Sequence, residues 1–316
     1  MTLNCTTIKL QNGSNGTEVK EVQTILKNLG FYDGYIDGEY GEITVNAVKL
    51  FQRSKSLTQD GWIGQVTCKA LNNTTTKETT INNYRDFTGK KFLKADIEQA
   101  ATTYRTHIKN NKNYPNYLTI KDSNGTSYNI AKANYMGLFE AVSQFFVKNE
   151  RVPNYVILNT TANNPLAIDY QNNSIKCAPA STSMCFQMLG KWVHEDTLAV
   201  AMNTNSRSQG TAPANLVAGV KKYGFEFKEI PRNITTVKQA LAEGSPVIMH
   251  IHSAYAGGRS CLGYRGSFGH YIMCYGTSGN YYYIADPTKG FRTCTSTSID
   301  NAKSSSNMKY YRLNPT

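Results

Sequence analysis

Residues 171–184 have the sequence QNNSIKCAPASTSM, and this stretch decides the fold that we predict for the second half of the chain. From residue 180 onward, apolar side chains recur at helical spacing as far as Gly190, which can end a helix. Cys177 therefore lies at or just before a helix N-terminus, where exposed N–H groups and the helix dipole lower the pKa of a thiol. Cys185 lies in the middle of the same helix and is predicted to belong to the core. Cys177 is thus the candidate nucleophile.

A nucleophilic thiolate needs an imidazole beside it, first as a base and then as an acid for the leaving amine. Segment 269–276 reads GHYIMCYG, a predicted strand that begins at His270, and segment 281–286 reads YYYIAD, a second strand that ends at Asp286. If the two strands are antiparallel neighbours, Asp286 can accept a hydrogen bond from the His270 ring and fix its tautomer. Gln171, six residues before Cys177, can donate its amide to an oxyanion, together with the Cys177 backbone N–H.

Two further sets of residues border this candidate site in the sequence. The glycine-rich loop 253–268 is expected to form a mobile cleft wall, and Arg259, Tyr264 and Arg265 are candidate substrate contacts within it. His250 and His252 share one face of a predicted strand and either line the cleft, pack in the sheet or bind a metal. Because no carboxylate or thiol lies near them in sequence, packing or cleft lining is favoured.

The order Q-x5-C-[GA]-P, G-H-Y and D-P resembles the papain-like cysteine peptidases of the bacteriocin-processing and pseudomurein endoisopeptidase kind. The resemblance implies an α+β papain-like domain over residues 166–316, with Cys177, His270 and Asp286 as catalytic residues and Gln171 in the oxyanion hole. It also implies cleavage of the Ala–ε-Lys isopeptide bond in pseudomurein. Ala178 departs from the glycine that commonly follows the nucleophile in this group.

The first 72 residues contain a duplicated turn, DGEYGEIT at 37–44 and DGWIGQVT at 60–67. Each turn precedes apolar residues at helical spacing, and Thr44 or Thr67 can cap the helix that follows. This segment is predicted to be a three-helix bundle and resembles the peptidoglycan-binding-like domains from about residue 13 to 71. Four aromatic residues either stack on wall sugars or cover the small core; they are Tyr32, Tyr35, Tyr40 and Trp62.

A Thr/Asn-rich stretch, residues 73–85, is predicted to be a linker, and a second repeat with an offset of 38 residues follows over 86–165. Each copy has an amphipathic helix, then P-N-Y, then a short extended piece. The unit resembles the pseudomurein-binding repeat, so the expected fold includes a pair of helical binding repeats. Their candidate wall contacts are Asn116, Tyr117, Asn154 and Tyr155, and the alternative is a helical spacer with a repeated capping turn.

Composition narrows the class of protein. The formal net charge is +12, and the excess of Lys and Arg is spread over residues 73–316 rather than gathered in an arm typical of nucleic-acid binding. No segment has the ~20 apolar residues that span a bilayer, and the first residues lack a secretory signal, so synthesis in the cytoplasm is expected. The odd number of cysteines, seven, favours a reduced state in which all except Cys177 are small core residues.

The sequence therefore predicts a monomeric wall lytic enzyme, virus- or provirus-encoded, that acts on pseudomurein during host lysis without binding nucleic acid or inserting into a membrane. It needs no cofactor by sequence, and a divalent-cation requirement is left open. Two alternatives remain: a cysteine peptidase or amidase that acts on bacterial murein, and a wall-binding protein with an inactive catalytic domain.

Overall fold

The computed structural model describes residues 3–29, 31–32, 36–55, 57–80, 87, 89–205, 210–254, 261–302 and 308–316. Its buried apolar residues form one core within residues 3–71 and two cores on the faces of a sheet within residues 87–313. In the described part of the chain no helix is both long and apolar enough to cross a membrane.

The N-terminal unit is helical, as expected. Its three helices are α1 (Thr17–Asn28), α2 (Glu42–Ser54) and α3 (Gln65–Thr80). Helix α3 continues through the first part of the predicted linker, which differs from the expected start of a linker at residue 73. Extending a helix adds one hydrogen bond per residue, so a run of Thr and Asn with low propensity can still follow an established helix.

A buried glutamine holds each of the two duplicated turns. The side chain of Gln23 is fully buried; its Oε1 accepts from the Gly38 N–H at 2.9 Å, and its Nε2 donates to Asp37 Oδ1 at 2.7 Å. Gly38 has φ +83, a conformation that favours glycine. The second turn repeats these contacts between Gln52, Gly61 and Asp60, at 2.9 and 2.6 Å.

The prediction that threonines cap the helices after these turns is wrong. Helix α2 has Gly41 at its N-cap position with no side-chain cap, and Thr44 lies two residues inside the helix. The Thr44 hydroxyl instead accepts from Gln23 Nε2 at 3.3 Å, and Thr67 accepts from Gln52 Nε2 at 3.1 Å. The threonines thus complete the hydrogen bonding of the two buried glutamines.

Two disulfides contradict the expectation of a fully reduced chain. Cys5 is bonded to Cys68, with Cα atoms 5.4 Å apart, and Cys261 is bonded to Cys294, with Cα atoms 5.6 Å apart. The free cysteines are Cys177, Cys185 and Cys274, all buried. The pairs are 63 and 33 residues apart in sequence, so their proximity depends on the tertiary fold and not on local spacing.

The middle segment consists of two strand–helix–strand units, called β-α-β units below, and not of helices alone. The two strands of one unit do not pair with each other. Each helix runs to a residue in the left-handed conformation, Lys112 with φ 54 and Glu150 with φ 56. The P-N-Y sequence then leads into the second strand of each unit. The elements are β1 (Lys90–Leu93), α4 (Lys94–Asn111), β2 (Tyr117–Lys121), β3 (Ser127–Ala131), α5 (Lys132–Asn149) and β4 (Tyr155–Leu158).

The two units exchange strands in a two-fold pattern. Strand β1 pairs with β4 and β2 pairs with β3, both antiparallel. Leu93 of β1 pairs with Tyr155 of β4. The residues at the equivalent positions of the other unit, 38 positions away, are Ala131 of β3 and Tyr117 of β2, and these two also pair. The 38-residue repeat is therefore a symmetric structural repeat whose halves complete each other's sheets.

These units share a core with the C-terminal segment, so the expected boundary between residues 165 and 166 crosses continuous packing. The Phe139 and Trp192 rings meet edge to face with centroids 5.8 Å apart, and the Trp192 indole N–H donates to the Ser143 hydroxyl at 3.0 Å. The Tyr104 hydroxyl donates to the Met188 carbonyl at 3.0 Å. The described residues between 87 and 316 therefore form one packed body.

The C-terminal segment is an α+β fold built on a six-stranded antiparallel sheet, in the order β5-β10-β6-β7-β8-β9. Helix α6 packs on one face, and α9 and α10 lie on the other. The strands are β5 (Phe225–Ile230), β6 (Val247–His252), β7 (Gly269–Ser278), β8 (Tyr281–Asp286), β9 (Gly290–Thr295) and β10 (Tyr310–Pro315). The helices are α6 (Cys177–Met188), α7 (Glu195–Ala201), α8 (Pro213–Gly219), α9 (Ile234–Ala242) and α10 (Ser296–Asp300).

Candidate active site

Helix α6 presents the candidate nucleophile at its first residue. The helix begins at Cys177, with Lys176 as N-cap, and every residue from Cys177 to Met188 is buried. Cys177 is 8% exposed, and its sulfur interacts with the backbone N–H groups of Ala178 and Tyr271. A thiolate at this position therefore lies at the positive end of the helix dipole and interacts with a backbone N–H group of the first helical turn.

Strands β7 and β8 bring His270 and Asp286 together. The strands are antiparallel neighbours, so the start of β7 lies beside the end of β8. His270 Nε2 is 3.2 Å from Asp286 Oδ1, and both side chains are almost fully buried. Asp286 Oδ1 also accepts from the backbone N–H groups of Thr288, at 2.8 Å, and Lys289, at 3.1 Å. The turn after β8 thus holds the carboxylate in place.

The three side chains shift one another's proton affinities. Burial raises the pKa of the Cys177 thiol, but the hydrogen bond and positive charge of His270 outweigh it, so the pKa lies below its usual value. Burial lowers the pKa of His270, but its bonds to Asp286 and Cys177 raise it to about 9. Burial opposes the ionisation of Asp286, yet His270 holds the pKa of this carboxyl below its usual value. The arrangement favours a thiolate–imidazolium pair.

The other two free thiols have the opposite electrostatics. Burial raises the pKa of Cys185 well above its usual value and that of Cys274 to about 12. Since the thiolate is the reactive form of cysteine, Cys177 is the free thiol that the structure equips for nucleophilic attack.

Gln171 lies beside the turn that follows Asp286. Its backbone N–H donates to the Pro287 carbonyl at 2.9 Å, and its Oε1 accepts from the Thr288 hydroxyl at 3.2 Å. Its Nε2 donates to the Asn173 carbonyl at 2.6 Å. An amide nitrogen carries two hydrogens, and this bond uses one of them.

The expected substrate contacts of loop 253–268 have different surroundings. Tyr264 is 8% exposed, and its hydroxyl lies against His270 and Asp286 rather than facing a substrate. Arg265 is exposed, as a substrate contact would require. Arg259 lies outside the described residues. The Tyr264 contact could not be predicted from the sequence, because no local pattern fixes the direction of a loop side chain.

His250 and His252 lie on β6, and in the described residues no group of three or more His, Cys, Asp or Glu side chains could hold a metal ion. The His250 ring stacks on the Tyr271 ring, with centroids 4.1 Å apart and an interplanar angle of 8°. This contact places His250 in the packing between β6 and β7.

Comparison with known proteins divides the chain into two matched segments. Residues 15–71 match a family of peptidoglycan binding domains, and residues 163–315 match the Peptidase C39-like family. The chain carries an N-terminal helical peptidoglycan-binding domain and a C-terminal C39-like α+β peptidase domain. Neither of these two matches covers residues 72–162, which hold all six elements of the two β-α-β units.

Two relatives and one solved structure show how far the similarity extends. The N-acetylmuramoyl-L-alanine amidase CwlM of Mycobacterium tuberculosis is 41% identical over 56 residues, which are 18% of this chain and 14% of that protein. A spore cortex-lytic enzyme of Bacillus cereus is 38% identical over 80 residues, 23% of this chain and 31% of that enzyme. A C39-like peptidase from Bacillus anthracis is 16% identical and covers 49% of this chain and 96% of its own, with a TM-score of 0.38.

A polar network that the sequence did not reveal holds the loop between Gln171 and Cys177 in the C39-like domain. The Asn172 backbone N–H donates to Glu195 Oε1 at 2.7 Å, and Asn172 Nδ2 donates to Asp196 Oδ1 at 3.0 Å. Lys176 donates to Asn172 Oδ1 at 2.7 Å and contacts the Asp196 carboxylate. Burial raises the pKa of Glu195 to about 7. The start of α7 thereby fixes the loop that precedes Cys177.

The candidate wall contacts of the β-α-β units are exposed. Tyr117 is 54% exposed and Tyr155 47% exposed, at equivalent positions of the two units. Asn116 and Asn154 are also exposed. The backbone carbonyl of Asn116 accepts from the backbone N–H of Lys132, the first residue of α5, at 3.0 Å, and that of Asn154 accepts from the backbone N–H of Lys94, the first residue of α4, at 2.9 Å.

In the peptidoglycan-binding domain the four candidate aromatic residues differ in exposure. Tyr32 and Tyr40 are 5% and 1% exposed and belong to the core, whereas Trp62 is 59% exposed. Tyr35 lies outside the described residues. Of the three of these residues that the structure describes, Trp62 alone is exposed and accessible to a sugar.

Proposed function

We propose that this protein is a cell-wall lytic cysteine endoisopeptidase that hydrolyses the Ala–ε-Lys cross-links of archaeal pseudomurein. The observation that carries the proposal is the arrangement of Cys177 at the start of α6, His270 at the start of β7 and Asp286 at the end of β8. In this arrangement the pKa of the thiol is lowered and the pKa of the imidazole is raised to about 9. The C39-like domain match supports peptide-bond hydrolysis as the type of reaction.

The proposed reaction begins with attack of the Cys177 thiolate on the carbonyl carbon of the cross-link. The Cys177 backbone N–H and the Gln171 amide stabilise the oxyanion. The His270 imidazolium then donates its proton to the departing lysine ε-amine as the C–N bond breaks, leaving a thioester on Cys177. Water, deprotonated by His270, attacks the thioester and releases an alanine carboxylate and the free thiolate.

Pseudomurein is proposed as the polymer on the basis of the two P-N-Y units. Tyr117 and Tyr155 are exposed at equivalent positions, and each follows an exposed asparagine, so one body offers two equivalent contact surfaces. Together with the N-terminal domain these surfaces would keep the enzyme on an insoluble substrate and raise its effective concentration there. The positive net charge of the chain favours association with anionic wall polymers.

A specific observation favours a second candidate, a peptidase or amidase that acts on bacterial murein. The N-terminal domain matches a peptidoglycan-binding family, and the two relatives named above are an amidase and a spore cortex-lytic enzyme. The two candidates share the chemistry of Cys177 and differ in the polymer.

Digestion of both wall types separates the candidates. Purified pseudomurein and murein sacculi are incubated with the wild type and with Cys177→Ala, and soluble fragments and new lysine ε-amines are quantified. We expect both products from pseudomurein with the wild type alone. Release from murein alone would establish the second candidate, and release from neither wall, despite sedimentation with both, would overturn the enzymatic proposal.

The role proposed for Gln171 has its own expected result. Replacing Gln171 by alanine removes one oxyanion donor, which lowers kcat by about 10²- to 10³-fold while KM changes little. Steady-state kinetics on a soluble cross-linked peptide measures the effect. Asn173→Ala is the matched control, because it keeps the backbone carbonyl that holds the Gln171 amide. Equal losses in both variants would mean that loop structure, and not the amide, is responsible.

A further inference from the structure

Tyr264 lies at the centre of the buried polar contacts of the candidate site. Its hydroxyl is 2.9 Å from His270 Nε2 and 2.8 and 2.9 Å from the two Asp286 oxygens. The direct distance between His270 Nε2 and Asp286 Oδ1 is longer, 3.2 Å. The phenol oxygen is therefore nearer to the imidazole nitrogen than the carboxylate is.

The hydrogen-bonding capacity of a phenol fits this position. A neutral tyrosine hydroxyl donates one hydrogen and accepts another. An ionised Asp286 only accepts, so Tyr264 donates to it and can accept from the His270 Nε2–H. Oδ1 already receives the N–H groups of Thr288 and Lys289, whereas Tyr264 is the donor that the described structure gives to Oδ2. Burial and the nearby Asp286 charge raise the pKa of Tyr264, which keeps the phenol protonated.

The surrounding chain fixes the phenol ring. Cys261, three residues earlier, is bonded to Cys294 of β9. On the other side, the Ser253 hydroxyl donates to the Gly266 carbonyl at 2.9 Å and accepts from the Phe268 N–H at 2.9 Å. The Tyr264 and His270 rings meet edge to face with centroids 5.0 Å apart. The segment that carries Tyr264 is thus anchored on both sides of it.

We propose that Tyr264 is a positioning residue whose hydroxyl bridges His270 and Asp286, so that Nε2 keeps its proton and Nδ1 is left for the Cys177 thiol. The proposed catalytic arrangement then consists of the nucleophile Cys177 and three side chains that prepare it, His270, Tyr264 and Asp286. This inference rests on the proposed cysteine-peptidase function and adds to it a residue that acts through its neighbours and does not touch the substrate.

Tyr264→Phe tests the inference because it keeps the ring and removes only the hydroxyl. We expect kcat on a soluble isopeptide to fall roughly 10- to 100-fold, the size of effect that small misplacement of a catalytic group produces, with KM within about twofold of the wild type. In an Asp286→Asn background the same change should cost less than about threefold, since the bridge is already broken. Loss of activity below twofold, or equal losses in both backgrounds, would overturn the inference.

The matched control is Tyr282→Phe. Tyr282 lies on β8 and is fully buried, and its hydroxyl donates to another carboxylate, that of Asp300, at 3.0 Å. This variant loses a buried Tyr–Asp hydrogen bond outside the site, so its kcat should stay within about twofold of the wild type. A fall as large as that of Tyr264→Phe would assign the effect to general loss of stability and overturn the inference.

Alkylation of Cys177 by iodoacetamide at neutral pH separates this inference from the proposed function, because it needs no wall substrate. Tyr264→Phe should slow alkylation roughly tenfold, since a poorly held imidazole stabilises less of the thiolate. If the wild type digests no wall but alkylation slows in this way, the function fails and the bridge stands. If the wild type digests walls and alkylation is unchanged in the variant, the bridge fails and the function stands.

Discussion

Cys177→Ala is expected to reduce release of lysine ε-amines from wall cross-links by at least about 10⁴-fold, which is the scale on which loss of a nucleophile acts in hydrolases that form an acyl-enzyme. The reason is that the variant cannot form the thioester, and no other free thiol can replace it. Cys185 and Cys274 are buried, with pKa values raised by that burial. Amine quantification on digested sacculi or on a cross-linked peptide measures the loss.

Cys185→Ala is the matched control for this result. Cys185 lies in the same helix as Cys177 and is fully buried in the core. Its replacement leaves a small cavity that lowers the free energy of unfolding by about 1 kcal/mol, but activity should stay within about threefold of the wild type. More than about one hundredth of the wild-type activity in Cys177→Ala would exclude Cys177 as the nucleophile.

Asp286→Asn is expected to lower the maximum of kcat/KM by about 10³- to 10⁴-fold and to shift its pH profile. In the wild type, burial lowers the pKa of His270, but its bonds to Asp286 and Cys177 raise it to about 9. We therefore expect activity at neutral pH that falls as the pH rises through about 9. Without the carboxylate, burial has less opposition and the His270 pKa falls. The alkaline limb of the profile therefore moves to lower pH.

The pH profile is measured as kcat/KM for a soluble isopeptide between pH 5 and 10. This range includes the pKa of a free histidine side chain, ~6.5. Asp300→Asn is the control, since Asp300 is a carboxylate of the same domain that accepts from Tyr282 and Tyr310 outside the site. Its profile should match that of the wild type. An unshifted alkaline limb in Asp286→Asn would mean that Asp286 does not set the His270 pKa.

The positions of Cys177, His270 and Asp286 could be predicted because each lies at the end of an element with a strong local pattern. Helical spacing after residue 180 indicates a helix that starts near Cys177, and two apolar segments separated by a short turn favour an antiparallel pair. Antiparallel pairing alone then brings the start of β7 to the end of β8. Local sequence was sufficient where neighbouring elements in the chain are also neighbours in space.

Long-range contacts were not predictable in the same way. The period of 38 residues was visible, but strands β1 and β3 are only four and five residues long and directly precede their helices. Their partners lie across the repeat, as in Leu93↔Tyr155. The two disulfides likewise join residues 63 and 33 positions apart. Such pairings depend on the assembled fold.

The Tyr264 bridge shows the same limit within the site. A tyrosine in a glycine-rich loop suggests a cleft residue, and the sequence does not fix which way its hydroxyl points. Its direction is set by the Cys261–Cys294 disulfide and the Ser253 hydrogen bonds, which hold the segment on both sides. The odd number of cysteines favours reduced core residues, so the sequence alone does not predict this anchor.

The role of Cys177 as the nucleophile is tested by the activity that remains as Cys177 is alkylated. The wild type is treated with limiting iodoacetamide, the label at each cysteine is counted by peptide mass spectrometry, and hydrolysis of wall cross-links is measured in the same samples. We expect the label to enter Cys177 before Cys185 and Cys274, and activity to fall in proportion and reach zero when Cys177 is fully labelled. Hydrolysis that continues with Cys177 fully labelled would contradict this role.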